Sequence, residues 1–575
     1  ERSRMSKAFI IPPTMDLVEE VIAHLTPKGA DYSRNLIVFP GKRPAHFVRK
    51  ALGKKLNRSF IPPLLYSIDN FVDFMYADRL GLSHRQLQPV DAVAILHPIY
   101  LNSPERFGGT SFDTLDAFLP LGLKLFGELE QLKMAHLPSR KLEEAISGVT
   151  LGNLRPLSNV YASFYDEVNR RGFCTRALKY AVVADFLSED HLSSFDAIVV
   201  AGFFALTNVE KTIFQTLKRM DTVVFLFHQG KGLEKHLQEV GLRPKHVPVG
   251  RVASPANNEV LFYQSPDSHG QVFALSGKIQ EQRKNSGALD ERTVVVLPAS
   301  ETLLPIYHQT LALLKDDEFN ISLGYPVIRT PVYGFLQSLM DLVGSMYDDK
   351  LHAPDYVKFV LHPYTKNILF SGRSDVTRIL FHSLEEHFAG EKSRTFFTLE
   401  EIEGEVQLLT DVAQRVIALG VDCSSAHMRQ HLRTIHDRTI RKLIGAPTLG
   451  SLAQRCIEVL MYVDEESTAQ QHPLFRPYVE TLIESLDGIA CSLLAGAKLQ
   501  VPAAAMNFIQ RCVGQAEVPF PGTPLKGLQV LGFLETRNLR FDTVYILDTN
   551  EDTIPGRGGA HTIIPQQIRE RIGLP

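Results

Sequence analysis

The densest single chemistry in the chain is Gly41–Arg58, GKRPAHFVRKALGKKLNR, with seven lysines and arginines and no acid in eighteen residues. Such groups neutralise phosphates, and the counterions they release make the binding independent of base sequence. Drawn on a helix, Val48, Ala51, Leu52 and Leu56 form one apolar stripe, and His46, Lys50 and Lys54 share another face. Lys42, Arg43, Arg49, Lys50 and Lys54 are therefore candidate DNA contacts, and the first four of them are expected to be largely exposed. A solvated basic face accounts for the same pattern. A second basic stretch, His427–Lys442, carries five Lys or Arg against one acid. Met428, Leu432, Ile435 and Thr439 supply its packing stripe, leaving Arg429 and Arg433 to face DNA, a partner or solvent. His427 and His431 have metal-ligand spacing, but no cysteine or carboxylate joins them. Asn320–Tyr325, NISLGY, offers either an aromatic for base stacking or a plain structural turn.

The elements that must position these residues alternate between two kinds. Short β-branched runs at Ala8–Ile11, Asn35–Phe39, Asp196–Ala201, Thr222–Phe227, Arg292–Leu297 and Asp542–Leu547 read as buried strands of parallel sheets. The stretches 82–190 and 333–520 lack such runs and read as helical. Breaks rich in proline, glycine and asparagine fall at 243–258 and Val518–Gly527. The fold class is α/β, with two parallel-sheet domains each interrupted by a mostly helical insertion. The first domain is expected at 1–81 and 191–245 around an insertion at 82–190. The second is expected at 256–332 and 524–575 around an insertion at 333–523.

That order resembles the superfamily 1 helicases. Their motors need a glycine-rich loop with a lysine after the first strand, to cradle nucleotide phosphates. Here the first strand runs into Pro12-Pro13-Thr14-Met15-Asp16, and G-x-x-x-x-G-K occurs nowhere. They also need carboxylates at the end of a later strand to hold magnesium. The corresponding strand ends in Val200-Ala201-Gly202-Phe203-Phe204, which is apolar. Four ordered segments look more specifically like the B subunit of AddAB-type helicase–nucleases, also called RexB-type. They are DAIVVAGFFALTNVEKTIFQ (Asp196–Gln215), RTVVVLPASETLL (Arg292–Leu304), NISLGYPVIRTP (Asn320–Pro331) and GLQVLGFLETRNLRFDTVYILDTNEDTIP (Gly527–Pro555). The last resembles the family's version of helicase motif V. Gly532, Leu534, Arg537, Asn538 and Arg540 stand where a working motor has Thr, His, Lys, Gly and Glu.

The resemblance implies a RecC-like scaffold that holds DNA with inactivated helicase domains, beside an ATP-driven AddA-type partner, in double-strand-break processing and recombinational repair. In that family the B subunit's catalysis comes from a C-terminal PD-(D/E)xK exonuclease domain with an iron–sulfur cluster and magnesium. This chain stops soon after the motif V-like segment and is expected to be an N-terminal portion without cofactor, ATPase or nuclease site. The one D/E-x-K tripeptide, Asp348-Asp349-Lys350, sits in a polar, turn-like stretch. Arg537 is a further candidate DNA contact, or else an internal partner of Glu535. Two rival readings are a helical interaction scaffold without nucleic-acid binding and a divergent ATP-dependent helicase.

Composition sets the outer bounds. The 575 residues allow about four domains. With 44% hydrophobic and 22% charged residues the chain is neither disordered nor collagen-like. The longest apolar stretch, Ala197–Leu206, is half of what a membrane-spanning helix needs, and no leader-like run follows the charged first residues. Five cysteines with no C-x-x-C speak against a disulfide or metal scaffold and for a reducing, cytoplasmic setting. A net charge of −3 confines any DNA-binding surface to local basic patches.

Overall fold

The structure is a computed structural model and describes residues 7–104, 106, 110–136, 144, 156–248, 259–287, 289–390, 394–498, 502–520, 525–554, 556, 562–572 and 574. Of the two expected linkers, residues 249–258 and 521–524 lie outside the described residues. The protein is α/β, its larger sheets are parallel, and its chain forms two compact units. One unit comprises Glu1–Leu87, Lys124–Leu323 and Phe520–Pro575, and the other Gln88–Leu123 and Gly324–Pro519. Among the described residues, no helix is long and apolar enough to cross a membrane.

The first unit holds both larger sheets. Strands β1 (Lys7–Ile11), β2 (Asn35–Phe39), β3 (Leu64–Ser67), β4 (Ala197–Ala201), β5 (Val223–His228) and β6 (Lys245–His246) pair in parallel, in the order β3-β2-β4-β5-β1-β6. Every residue of β2 and β4 is buried. That is the expected state of a parallel strand covered on both faces, and it explains why those runs are continuous and not alternating. On one face Ile10, Val38, Val200, Phe225 and Phe227 pack around Phe214. On the other, Ile11, Ile37, Phe39, Val199 and Leu226 pack against helices α1 (Leu17–Ala23) and α2 (Arg43–Leu56) through Leu17, Val21, Val48 and Leu52. The predicted stripe of α2 is thus the side that builds the core.

The second sheet contains β7 (Thr293–Val296), β8 (Phe319–Ser322), β9 (Leu528–Leu531) and β10 (Thr543–Ile546), all parallel, in the order β8-β9-β7-β10. Helix α3 (Ser268–Ser286) covers one face, where Gln282 donates to Thr293 at 3.0 Å and accepts from the Tyr545 hydroxyl at 3.0 Å. The six expected strands all form, but β10 is not buried as expected: Val544 and Ile546 are exposed, because β10 is an edge strand of the sheet. Strand β8 occupies the first half of NISLGY, and the turn falls after it, at Leu323 and Gly324. Tyr325 is only 6% exposed and stacks on Tyr478 with ring centroids 6.5 Å apart, so it is a packing residue and not a platform for bases.

The second unit is mainly helical. Its helices include α4 (Pro331–Gly344), α5 (Ala353–Val360), α6 (Leu399–Gly404), α7 (Ser425–Arg438), α8 (Ile440–Leu443), α9 (Leu449–Glu466) and α10 (Phe475–Ala490). Serine or threonine side chains fix several starts: Thr330, Thr398, Ser424 and Thr448 accept backbone N–H groups, each cap contributing about 1 kcal/mol. Met428, Leu432, Ile435 and Thr439 are fully buried, as their spacing predicts. His436, between two of them, is also fully buried and is held by charge. Its Nδ1–H donates to Glu403 Oε1 at 2.7 Å, and its Nε2 accepts from the Tyr356 hydroxyl at 2.9 Å. Arg441 adds a second bond to Glu403 at 2.7 Å. Burial opposes the charge on Glu403, but the bonds from His436 and Arg441 outweigh it and hold the carboxyl at about 2. Burial holds His436 below its usual value, with Glu403 opposing the shift.

Both shifts run the same way. A carboxyl and an imidazole whose folded values are depressed stabilise the fold above their ordinary values, and that stability is lost as pH falls toward the folded ones. The urea midpoint of the second unit should therefore drop between pH 6.5 and 3, and a Glu403→Gln variant should show a shallower drop from a lower start. Parallel curves for variant and wild type would exclude this network as the acid-sensitive element.

Candidate nucleic-acid interface

In a parallel α/β sheet, ligands bind beyond the carboxyl ends of the strands. After β1 the chain turns through two prolines and Asp16, whose carboxylate accepts the Val18 N–H at 2.8 Å and the Glu19 N–H at 3.4 Å. A side-chain carboxylate thus occupies the helix start where a nucleotide phosphate would need free N–H groups. After β4, Gly202 takes a φ of +78° and lies so close to Asn538 that a Cβ there would overlap the amide. Phe203 is buried, and the Phe204 ring covers Gly230 beyond β5 just as closely. Arg540 donates to the Thr14 carbonyl at 3.3 Å. The crevice of the first sheet is therefore filled by its own loops and by the loop that follows β9.

Helix α2 starts beside that loop. Its N-cap, Lys42, gives no side-chain hydrogen bond, and Pro44 follows in the first turn. A groove of about 430 Å³ opens there, lined by Gly41, Lys42, Arg43, His46, Ser322, Leu534, Glu535, Arg537 and Asn538. Three of these side chains are lysine or arginine and one is a carboxylate. Burial, then the charges of Arg49 and Arg43, holds His46 below its ordinary value. Phe533 and Leu534, on the rim loop, are 41% and 65% exposed.

The predicted contacts divide on inspection. Lys42, Arg49 and Lys54 are exposed, and Arg537 is exposed with its Nε on the Leu534 carbonyl at 3.1 Å. Arg43 and Lys50 depart from the expected exposure. Arg43 is half-buried and donates to Gln529 of β9, and burial pulls it down to about 10, still protonated at neutral pH, with Glu535 opposing the shift. Lys50 is half-buried, pairs with Glu291 and donates to the Leu525 carbonyl at 3.0 Å. Both face the second sheet because α2 is a wall of the joint between the two sheets. Glu535 accordingly acts on Arg43, and no ion pair with Arg537 forms among the described residues.

Arg429 and Arg433 belong to the other unit, exposed one turn apart on α7 with no ion-pair partner among the described residues. His431 beside them bonds the Thr377 hydroxyl at 2.8 Å, and burial pushes it down to about 4. It is a packing histidine. Asp348 and Asp349 both have positive φ, in a tight turn closed by Tyr347 and Lys350. No group of three or more His, Cys, Asp or Glu is placed to hold a metal among the described residues.

Sequence reasoning missed Gln529, Asn538 and Asp16. Asp16 and Asn538 stand out only as departures from motor motifs, and Gln529 left its own signal, as the lone polar residue of the apolar run Leu528–Leu531. No family model matches the chain, and no curated protein matches it.

Arg43→Ala should lower stability by about 1–3 kcal/mol, because a buried acceptor loses a donor. Lys42→Ala and Arg49→Ala should stay within about 0.5 kcal/mol. Urea unfolding of the three variants decides this, and equal midpoints would remove Arg43 from the joint. Magnesium-ATP at millimolar concentration should leave the melting temperature unchanged, since a nucleotide bound at 100 times its Kd would add about 2.7 kcal/mol. A reproducible rise would show that the crevice opens.

Proposed function

We propose that this chain is a non-catalytic nucleic-acid-holding scaffold with a helicase-like pair of sheets. It serves as the portion of an AddB/RexB-type helicase–nuclease subunit that guides DNA in double-strand-break processing, in the bacterial cytoplasm beside an AddA-type motor. The observation that carries this reading is the contrast at one end of the first sheet. The nucleotide crevice is closed by Asp16, Phe204, Asn538 and Arg540, while the adjoining groove presents Lys42, Arg43 and Arg537 and the uncapped start of α2. The positive end of a helix and cationic side chains together favour phosphate oxygens. Arg429 and Arg433 offer a second cationic face on the other unit. The engagement of Arg43 and Lys50 inside the fold favours a second reading, an interaction scaffold in which α2 serves only as a joint.

A salt titration separates the two readings. The variant Lys42→Ala, Arg49→Ala, Lys54→Ala, Arg537→Ala spares Arg43 and Lys50 and should melt with the wild type. On single-stranded DNA its log–log salt slope should flatten by about 0.7 for each phosphate no longer neutralised, equally for unrelated sequences. Identical affinities and slopes would leave the second reading.

A further inference from the structure

His46 lies one turn into α2 after the uncapped Lys42 and lines the groove there. Its ring is half-buried, and neither ring nitrogen has a hydrogen-bond or ion-pair partner among the described residues. Neither nitrogen is sealed from water. Cations surround it. On its own helix Lys42 and Arg43 precede it, and Arg49 and Lys50 follow it, with Lys50 answered by Glu291. Across the groove the loop after β9 contributes Glu535 and Arg537. The helix packed beside α2, α1, carries Glu19 and Glu20 and ends at His24. Burial, then the charges of Arg49 and Arg43, makes the ring give up its proton more readily than an ordinary imidazole, and no carboxylate offsets them. An anion entering between Lys42, Arg43 and Arg537 reverses that balance. It brings negative charge close to the ring, and an oxygen to which a protonated imidazole can donate.

We propose that His46 is a proton-taking ligand of the groove: when a nucleic-acid phosphate enters, the imidazole takes a proton from solvent and donates an N–H to a phosphate oxygen. This role rests on the nucleic-acid reading of the groove. Linkage fixes its sign. A group that holds its proton more tightly in the complex makes the complex tighter as pH falls. Affinity is constant at high pH, rises as pH falls through the titration of His46 in the complex, and levels off below its titration in the free chain. A fixed cation at this position would leave affinity flat.

The probe is a rhodamine-labelled thymidine oligonucleotide, because neither thymine nor a phosphodiester titrates between pH 5.5 and 8. Binding by the whole chain is followed across that range at fixed ionic strength, since salt alone moves such affinities. Affinity should rise about three- to tenfold from pH 8 to 5.5, the factor expected when one group gains about half to one pH unit on binding. Calorimetry in two buffers of different ionisation enthalpy should show net proton uptake by the wild type. His46→Gln should lose both the rise and the uptake, and His46→Arg should give a flat profile. Lys42→Ala should bind more weakly throughout yet keep the rise. Melting temperatures identify the folded variants, and if His46→Gln melts early, His46→Arg decides. A flat wild-type profile without proton uptake would overturn the role of His46 and leave the nucleic-acid reading standing. A rise or an uptake that persists in a folded His46 variant would assign the proton to another group and equally overturn it. Absence of binding at every pH would overturn the nucleic-acid reading, and the role of His46 with it.

Discussion

A primary amide sealed in the middle of a parallel sheet has two donors and two acceptor positions to fill without water, and Gln529 fills all four. Its Nε2 donates to the carbonyls of Lys526 and Gly527 at 2.8 and 2.9 Å, and its Oε1 accepts from Asn320 at 3.0 Å and from Arg43. Three of those partners lie on the second sheet or its entry. The fourth comes from the start of α2, which packs on the first sheet. Leaving a buried acceptor short costs about 1–3 kcal/mol, more than a surface ion pair returns. The two sheets of this unit are therefore joined at a point set by hydrogen-bond completeness. Seven residues along α2, two turns of helix, Lys50 repeats the join on Glu291 and the Leu525 carbonyl.

Two attachments on one side of a helix decide the use of its other cations. Arg43 and Lys50 face the second sheet and have their charge answered there. Lys42 and Arg49 are exposed, Lys54 shares the face of Lys50 and acts on Glu291 from a distance, and none of the three has an ion-pair partner among the described residues. The same helix is thus both a joint and the basic wall of a groove. The groove's polarity also owes something to the backbone, because the uncapped start of α2 adds a partial positive charge where Lys42 and Arg537 converge.

Five of the six β-branched runs were legible because continuous apolarity has one stable home, a strand buried on both faces; the sixth forms its strand with Val544 and Ile546 exposed. The stripe of α2 and that of α7 were legible for the same reason, through helical spacing. The split between internal and external cations was not legible. Lysine and arginine look alike on a helical projection whether they meet water or a carboxylate, and Glu291 and Gln529 lie more than two hundred residues from their partners. In NISLGY the glycine marked the turn that forms at Leu323 and Gly324, whereas nothing marked Asn320 as a strand residue spent on Gln529. His431 shows the same limit: ligand spacing describes a helix face and says nothing of the depth at which that face is buried.

The closed crevice and the open groove follow from one segment, the loop after β9. Asn538 sits in the left-handed region, with φ of +66°, against Gly202, which has φ of +78°. Neither conformation is comfortable for a residue with a side chain, and at Gly202 none would fit. With Arg540 on the Thr14 carbonyl, these contacts lay the loop across the ends of β1 and β4 and leave Leu534–Arg537 as the far wall of the groove. A motor must let its sheets separate and close around a nucleotide in every cycle. Here the contacts between the loop and the strand ends are made by the chain itself. What such a joint supplies is preorganisation: Arg43 and Lys50 are held in place before any anion binds.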